Sequence, residues 1–595
     1  MHGRVMRIVS HTKRPARRRA LHDSTFDPLG EPSRVAAWPP LALAALAAAV
    51  SIGAWARLDQ VGAQVLIDDE WHVVHQVMLS TPGEMLLDFG YADYGIPLGL
   101  LAWTESRAFG LSEMLLRLPM LACGLVTLVV FTAYVARRFA PATVAIFAWL
   151  LATSPLLVIY SRMARPYAVT LLLGWVAHAA FQRYWRAGDA ATAPREDAVR
   201  TTRAPGAMAL YVAAAAFATW LHPITGPFVL APLAWAAFDT WRADVRQRRV
   251  LAARLARVVV PAGLAIALLV LPPLVANPVS MTLKSGVDTP GADTLVGAAH
   301  AWYGTASPLI VAGCLLLAAL GARDVWRTLP EARTAALGVA LTLASILVSR
   351  PAWSSNAASI ARYLLPLLPL LLLMTAAGAV ALARYVGTAT PWRRAAAGGV
   401  ALLPCVALAL QSPLPAMVRA PGAQTLHLVH HFDFRPAKNA YLPYIEKIPL
   451  SPFWATLAAA PRGSVRVAVA PFHYESYNWD APRWEEIAGQ WIVPGYLTGL
   501  CVAQRYGEVP RAPQFRFANA VHLADEQALA RQGIDLVVWQ KPFEHVVRGE
   551  RETVGAGTAH CDGVLRERFG PPAYEDDLLV VYRVRGARAD VNAAR

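Results

Sequence analysis

Residues 37–72 read AWPPLALAALAAAVSIGAWARLDQVGAQVLIDDEWH. The first half, 37–56, has the length and apolarity a helix needs to cross a bilayer, about 20 residues. The second half closes on three consecutive acids, Asp68, Asp69 and Glu70, followed by Trp71 and His72. Carboxylates this close to an apolar span are costly against lipid, so they face water or sit in a polar cavity. One short stretch therefore implies both a membrane crossing and a charged site just beyond it.

Further apolar runs follow. Eleven spans are expected, at 37–56, 114–136, 142–160, 166–184, 207–222, 224–240, 257–276, 305–321, 334–349, 361–383 and 395–412. Composition agrees: of 595 residues 56% are hydrophobic and only 16% charged, against about a quarter charged in soluble globules. A disordered chain, polar and highly charged, is excluded. Five cysteines are too few for a disulfide scaffold or a cysteine-based zinc module.

The formal net charge is +15. Its Lys and Arg lie in short clusters between apolar runs, not with aromatics on one soluble face, so they point to membrane topology and away from nucleic acid. Lys13, Arg14, Arg17, Arg18 and Arg19 precede the first span and hold the basic segment 1–36 in the cytoplasm; that span reads as uncleaved. Arg137 and Arg138, the arginines from 242 to 254, and Arg384, Arg393 and Arg394 then fall on the same side. Residues 95–110 (GIPLGLLAWTESRAFG) carry Glu105 and Arg107; counting them as a span would invert every later loop, so they read as an interfacial helix within an outer loop, 57–113.

Beyond the transmembrane part, 37–412, the composition changes. Residues 413–595 read as a soluble, extracytoplasmic α/β or α+β domain, with strands at Val465–Ala470, Asp535–Trp539 and Leu578–Val584 and a helix at Leu523–Gln532. Cys501 and Cys561 lie there, either as a disulfide or as two free thiols.

Three features can carry chemistry. The acids at 68–70 read as a helix start favoured by the macrodipole, as a general base with a neighbouring carboxylate, or, through Asp68, His72 and His75 on one helical face, as ligands of a divalent metal. The outer turn Tyr160-Ser161-Arg162-Met163-Ala164-Arg165-Pro166-Tyr167 places two arginines against the positive-inside trend. They suit a phosphate or a salt bridge to the outer-loop acids. Arg362-Tyr363, at the outer end of a later span, suits either phosphate contact or interfacial anchoring. Lys284 is a lone outer cation, and His222 sits at an outer span end.

The order of these features resembles the GT-C superfamily of polytopic glycosyltransferases, which includes protein mannosyltransferases and the aminoarabinose transferases of lipid A. The matching pieces are Asp69-Glu70 with the helical continuation through Met78, Asp93-Tyr94-Gly95-Ile96-Pro97-Leu98, Phe109-Gly110-Leu111-Ser112-Glu113, Leu116-Arg117-Leu118-Pro119, Arg165-Pro166-Tyr167 and Arg362-Tyr363. The resemblance implies a membrane α-helical fold with juxtamembrane helices in the first outer loop. It implies transfer of a sugar from a polyprenyl-phosphate-linked donor to a glycan, lipid or protein acceptor on the non-cytoplasmic face of a bacterial inner membrane, with inversion. Asp69 would be the base and Glu70 its neighbour. Arg162, Arg165, Tyr167, Arg362 and Tyr363 would meet the donor phosphate, and Asp93, Tyr94, Lys284 and His222 the substrates. No fixed cofactor is implied; the divalent metal stays open. Relatives often carry His-Pro-Pro where this chain has Tyr94-Gly95-Ile96-Pro97, and some a second aspartate near Arg165, so a two-acid mechanism is not expected. No nucleotide-binding motif is visible.

Two other classes stay open. A transporter or flippase of a lipid-linked sugar would also be polytopic, but would gather its polar residues near the bilayer midplane. A membrane-anchored glycan-binding or assembly protein would place its activity in 413–595, where His473, Tyr474, Tyr477 and Trp479 read either as a sugar-binding surface or as a mixed core and loop.

Overall fold

The computed structural model describes residues 38–59, 61–62, 66, 68–90, 95–190, 204–282, 284–387, 389–412, 414, 449–471, 484–485, 487–503, 514–517, 520–547 and 550–584. The chain is a multi-pass bundle of apolar helices carrying a C-terminal domain built on a mixed sheet. The helices begin α1 Pro40–Leu58, α2 Asp68–Leu79, α3 Pro82–Leu86, α4 Ile96–Ala108, α5 Glu113–Ala136, α6 Pro141–Thr153, α7 Pro155–Ser161 and α8 Tyr167–Ala190. Many start at a proline, whose fixed φ and missing N–H suit the first turn. Others start behind a capping side chain: Ser112 accepts from Leu115 N–H, and Asp244 from Arg246 and Gln247 N–H.

Among the described residues seven helices are long and apolar enough to cross a bilayer, and the pair α6–α7, bent by 55°, makes an eighth if it is one span. The other three expected stretches are helical as well: α8, Ala204–Leu221 and Gly226–Arg242. Length and composition therefore give a smaller count than the eleven expected. Gly226–Arg242 has only 17 residues, and α8 carries Arg183, Arg186 and Asp189 in its second half. The bend between α6 and α7 falls at Ser154–Pro155, where proline supplies no N–H to the preceding turn.

Helices Pro308–Thr328 and Leu368–Val386 touch backbone to backbone. A Cβ on Gly378 would lie 1.8 Å from Leu317 O, and one on Gly321 2.0 Å from Met374 O. Small residues at such a crossing let the two helices gain dispersion contacts that lipid cannot match. At one end of the bundle, arginines meet aromatic rings. Arg138 lies 3.8 Å from the Tyr134 ring, and the Tyr134 hydroxyl donates to Glu331 at 2.5 Å. Arg254 donates to Tyr184 O and lies over the Trp185 ring. The candidate site residues gather at the other end.

The segment expected to be interfacial is the helix α4, packed with α2 around Trp71, Val74, Ala102 and Met120. The C-terminal domain has a six-stranded sheet in the order β3-β2-β1-β4-β8-β7. Its strands are β1 Arg466–Ala470, β2 Trp491–Tyr496, β3 Val521–His522, β4 Leu536–Gln540, β7 Tyr574–Glu575 and β8 Leu579–Arg583; β5 Phe543–Val547 and β6 Glu550–Val554 form a separate hairpin. β1 through β4 run parallel, and β8 and β7 close the edge antiparallel. Both faces of the sheet are covered, as continuous apolar runs such as Leu536-Val537-Val538-Trp539 require. The expected helix at 523–532 is Glu526–Arg531, capped by Asp525. Cys501 and Cys561 form a disulfide with a Cα–Cα distance of 5.5 Å. Closing a 60-residue separation stabilises the domain by about 4 kcal/mol in a chain-entropy account. His473, Tyr474, Tyr477 and Trp479 lie outside the described residues.

Gly378→Val forces backbone apart at the Gly321 crossing. The variant is expected to lose at least about 2 kcal/mol of stability, read as a lowered melting temperature in detergent, whereas Gly313→Ala, at a glycine with open space around it, is expected to melt as the parent does.

Candidate active site

The acids after the first span begin α2. Asp68 and Asp69 are its first residues; their side chains, like all of Asp93 and Tyr94, lie outside the described residues. Glu70 is fully buried and pairs with Arg117 of α5, itself fully buried. The Arg117 Nε donates to Glu70 Oε1 at 2.8 Å and its Nη2 to Oε2 at 2.7 Å. The Ala164 N–H adds a third bond to Oε1 at 2.8 Å, and Arg117 Nη1 donates to Val61 O at 2.9 Å. A two-pronged guanidinium–carboxylate contact is the geometry that best offsets burial of two charges. Glu70 therefore clamps α2 to α5 and to the turn at 162–166. The role of Arg117 is not evident from the Leu116-Arg117-Leu118-Pro119 motif itself; the signal in the sequence is a charged residue one turn inside a span, which needs a partner.

His72 is half-buried on α2. His75 is buried beside Trp71, with ring centroids 6.3 Å apart, and burial pushes its imidazole down to about 4. Among the described residues no group of three or more His, Cys, Asp or Glu side chains is arranged to hold a metal ion.

The turn between α7 and α8 buries both of its arginines. Arg162 donates to Ala56 O at 2.8 Å, tying the turn to the end of α1. Burial and then the nearby Arg117 guanidinium push it down to about 10, with Asp59 opposing. Arg165 is buried as well. Tyr167, the first residue of α8, faces a cluster assembled from distant segments. Its ring lies 4.8 Å from that of Tyr160 and 5.5 Å from that of His222, and the Tyr363 ring lies 5.9 Å from His222. The Arg362 guanidinium sits over both Tyr167, at 5.7 Å, and Tyr363, at 5.5 Å. His222 is held in extended backbone between Ala204–Leu221 and the turn Pro223–Thr225. Arg362 and Tyr363 end the helix Ala357–Tyr363. Tyr167, His222, Arg362 and Tyr363 are thus in physical contact, and the ring faces suit a cation held over them.

This cluster borders a cavity of about 700 Å³. His222, Tyr363 and Lys284 stand on its wall; most of the rest is apolar, including Leu341, Ala344 and Val348 from the helix Glu331–Ser349. Lys284 also donates to Gly90 O at 2.7 Å, and its own carbonyl accepts from Ala352 N–H at 2.9 Å. It joins the first inter-span loop to the loop after Ser349. Gly95 brings α4 to the same place: a Cβ there would lie 2.5 Å from Leu221 O, the residue before His222. The result is an apolar slot with a cationic, aromatic mouth.

No protein-family model and no curated protein sequence matches the chain. Among solved structures, it is similar to ArnT from Cupriavidus metallidurans bound to undecaprenyl phosphate: identity is 13%, coverage 91% of this chain and 97% of that one, and the TM-score 0.35. It is also similar to the Archaeoglobus fulgidus oligosaccharyltransferase in its apo form, at 14% identity, 84% and 69% coverage and a TM-score of 0.42. AglB from the same organism, in complex with an inhibitory peptide and a dolichol-phosphate, is at 13%, 84%, 69% and 0.39. These likenesses are distant, and the chemistry is read from this chain's own side chains.

Two outcomes follow. Glu70→Ala strands the buried Arg117 charge and is expected to cost about 3–5 kcal/mol, while Glu70→Leu with Arg117→Met recovers most of it; a thermal double-mutant cycle measures both. Glu105, on α4 in an apolar wedge with Leu101, Leu116 and Met120, is pushed by burial up to about 7. Between the ordinary carboxylate range and that value the folded chain keeps a proton that the unfolded chain has released, so stability falls as pH rises across that window. Glu105→Gln is expected to flatten this slope and to stabilise the protein by ~2–3 kcal/mol at pH 8, checked by melting temperature from pH 4.5 to 8.

Proposed function

We propose that the protein is a GT-C-type glycosyltransferase that moves a sugar from a polyprenyl-phosphate-linked donor to an acceptor on the non-cytoplasmic face of a bacterial inner membrane. The observation that carries this reading is the apolar cavity with His222, Lys284 and Tyr363 on its wall and Arg362 beside them. A lipid-linked sugar has the matching chemistry, a long isoprenyl chain joined to an anionic phosphate. The polar groups sit at one end of the bundle, around one slot, an arrangement that suits transfer at a surface better than passage through the midplane.

In this reading the acceptor hydroxyl oxygen attacks the anomeric carbon in line as the bond from that carbon to the phosphate oxygen breaks, and configuration inverts. Asp69 takes the hydroxyl proton. The electron pair of the broken bond leaves on the polyprenyl phosphate, and Arg362, Lys284 and Arg165 stabilise the charge that develops there. Tyr167 and Tyr363 hold the Arg362 guanidinium in place through their ring faces. Glu70 has both oxygens committed to Arg117 and the Ala164 N–H. Its part is to fix the first turn of α2, on which Asp69 stands, and not to exchange protons. Asp93 and Tyr94, just before Gly95, are assigned to the sugar or the acceptor. Arg162, bonded to Ala56 O, supports the turn that carries Arg165. The sugar is a hexosyl or pentosyl unit, the acceptor a glycan, lipid or protein, and 413–595 an extracytoplasmic domain on the acceptor side.

Membranes containing each variant, given a radiolabelled polyprenyl-phosphate sugar, test the reading. Asp69→Asn is expected to lower transfer about 10²–10⁴-fold and Arg362→Ala about 10²–10³-fold, both with unchanged melting temperatures. Full transfer by a well-folded Asp69→Asn protein would remove Asp69 from the base role. Translocation of the lipid-linked sugar in liposomes without any transfer product would replace the enzyme by a flippase.

A further inference from the structure

Arg57 stands apart from the residues assigned above. It lies near the end of α1 and is 2% exposed. Its guanidinium donates only to neutral carbonyls: Gly53 O at 2.8 Å, Ala152 O at 3.1 Å and Leu151 O at 3.4 Å. The α6–α7 break explains those partners. Pro155 has no N–H to give Leu151 O, and the 55° bend takes Ala152 O out of the helical ladder. Arg57 satisfies the carbonyls that the break leaves open.

The carbonyls satisfy part of the guanidinium but leave its charge uncompensated. Among the described residues no carboxylate pairs with Arg57, and the buried Glu70 is committed to Arg117. The Arg57 Nε–H is buried without a partner. Thr127, on α5, is 5% exposed, and its hydroxyl is also buried without a partner. A helical threonine ordinarily donates to the carbonyl one turn back, as Thr132 does to Leu128 O at 2.7 Å; Thr127 does not. Arg57 and Thr127 line one small cavity with Gly124, Tyr160 and Ser161, in which the centre of a water-sized sphere has about 10 Å³ to move, space for a single small occupant. The Ser161 hydroxyl is turned away, donating to Leu157 O at 2.6 Å.

We infer that Arg57 and Thr127 hold a single small monovalent anion of the halide class in this cavity. Two open donors, one of them on a cation, define a site of anionic preference. A water would fill the two hydrogen bonds and leave a full charge in a low-dielectric interior, whereas a halide fills the bonds and neutralises the charge together. The bound ion pins the end of α1 to α5 and to the α6–α7 break, so its signature is stability. The inference is independent of glycosyl transfer.

The test uses the full-length protein in detergent, melted in sodium chloride or sodium gluconate at constant ionic strength. Chloride is expected to raise the melting temperature along a saturating curve that gluconate does not reproduce. Thr127→Val, which keeps the side-chain shape and removes the donor, is expected to raise the half-saturating chloride concentration at least about fivefold, on the loss of one charge-assisted hydrogen bond. Arg57→Gln is expected to abolish the chloride effect; should it not fold, Thr127→Val decides. Bromide-soaked crystals should show one anomalous peak between Arg57 and Thr127. Melting curves that do not distinguish chloride from gluconate, an unchanged half-saturation in Thr127→Val, or a water in place of the bromide peak would each overturn the inference.

Discussion

The buried pair of Glu70 and Arg117 is the contact on which the site's geometry rests. Neither side chain reaches solvent, and two charges removed from water are stable only when every lone pair and N–H finds a partner. Here the partners come from three chain segments. Arg117 is on α5, Ala164 N–H comes from the turn before α8, and Val61 O from the link after α1. A pair of well-packed apolar residues could hold these segments together as tightly, but not in a single register. The bidentate fork and the third bond to Ala164 fix the rotation of α2 about its own axis.

The positive charge near the site divides into two groups by what surrounds it. Arg57, Arg117 and Arg162 are buried among backbone carbonyls and the Glu70 carboxylate, and they brace the ends of α1, α5 and α7. Arg362 and Lys284 are only half-buried, set against aromatic rings and a carbonyl at the edge of the large cavity. Ring faces hold a cation without neutralising it, so its field still reaches an incoming anion. This division lets one end of a bundle be both rigid and receptive.

Much of this was legible in the sequence, and the losses have specific causes. The apolar runs located every long helix of the bundle, because a segment buried in lipid cannot be polar. The charge of Glu105 and Arg107 sets 95–110 apart from the expected spans, and α4, 13 residues long, lies against α2. Repeated Arg–Tyr patterns hint that Tyr167 and Arg362 share a task, but no local period connects residues 195 positions apart, so their contact is visible only in three dimensions. The partnership of Glu70 with Arg117 was missed for the same reason. In the C-terminal domain, β1, β4 and β8 were visible as buried apolar runs, while β2 was hidden by Pro494 and Gly495 within it and β3 by its length of two residues. The large cavity was not legible at all, because its wall draws on segments from Phe89 to Tyr363.

The first turn of α2 is held from two sides. Glu70 reaches into the bundle, while the next residue, Trp71, packs against Phe517 of the C-terminal domain, with ring centroids 6.1 Å apart. That contact is reinforced by backbone: Leu111 N–H donates to Gln514 O at 2.6 Å, and Arg516 N–H donates to Leu111 O at 2.7 Å. The domain therefore does not hang from the last helix by its linker alone. It adds a short strand-like pairing to the segment between α4 and α5 and shares a hydrophobic cluster with α2 and α4. Adjacent residues on a helix point about 100° apart, so Glu70 and Trp71 cannot both keep their contacts if the helix rolls. A shift of the domain is then a torque on α2, resisted by the buried ion pair. The position of the C-terminal domain and the rotation of α2 about its axis are one mechanical quantity.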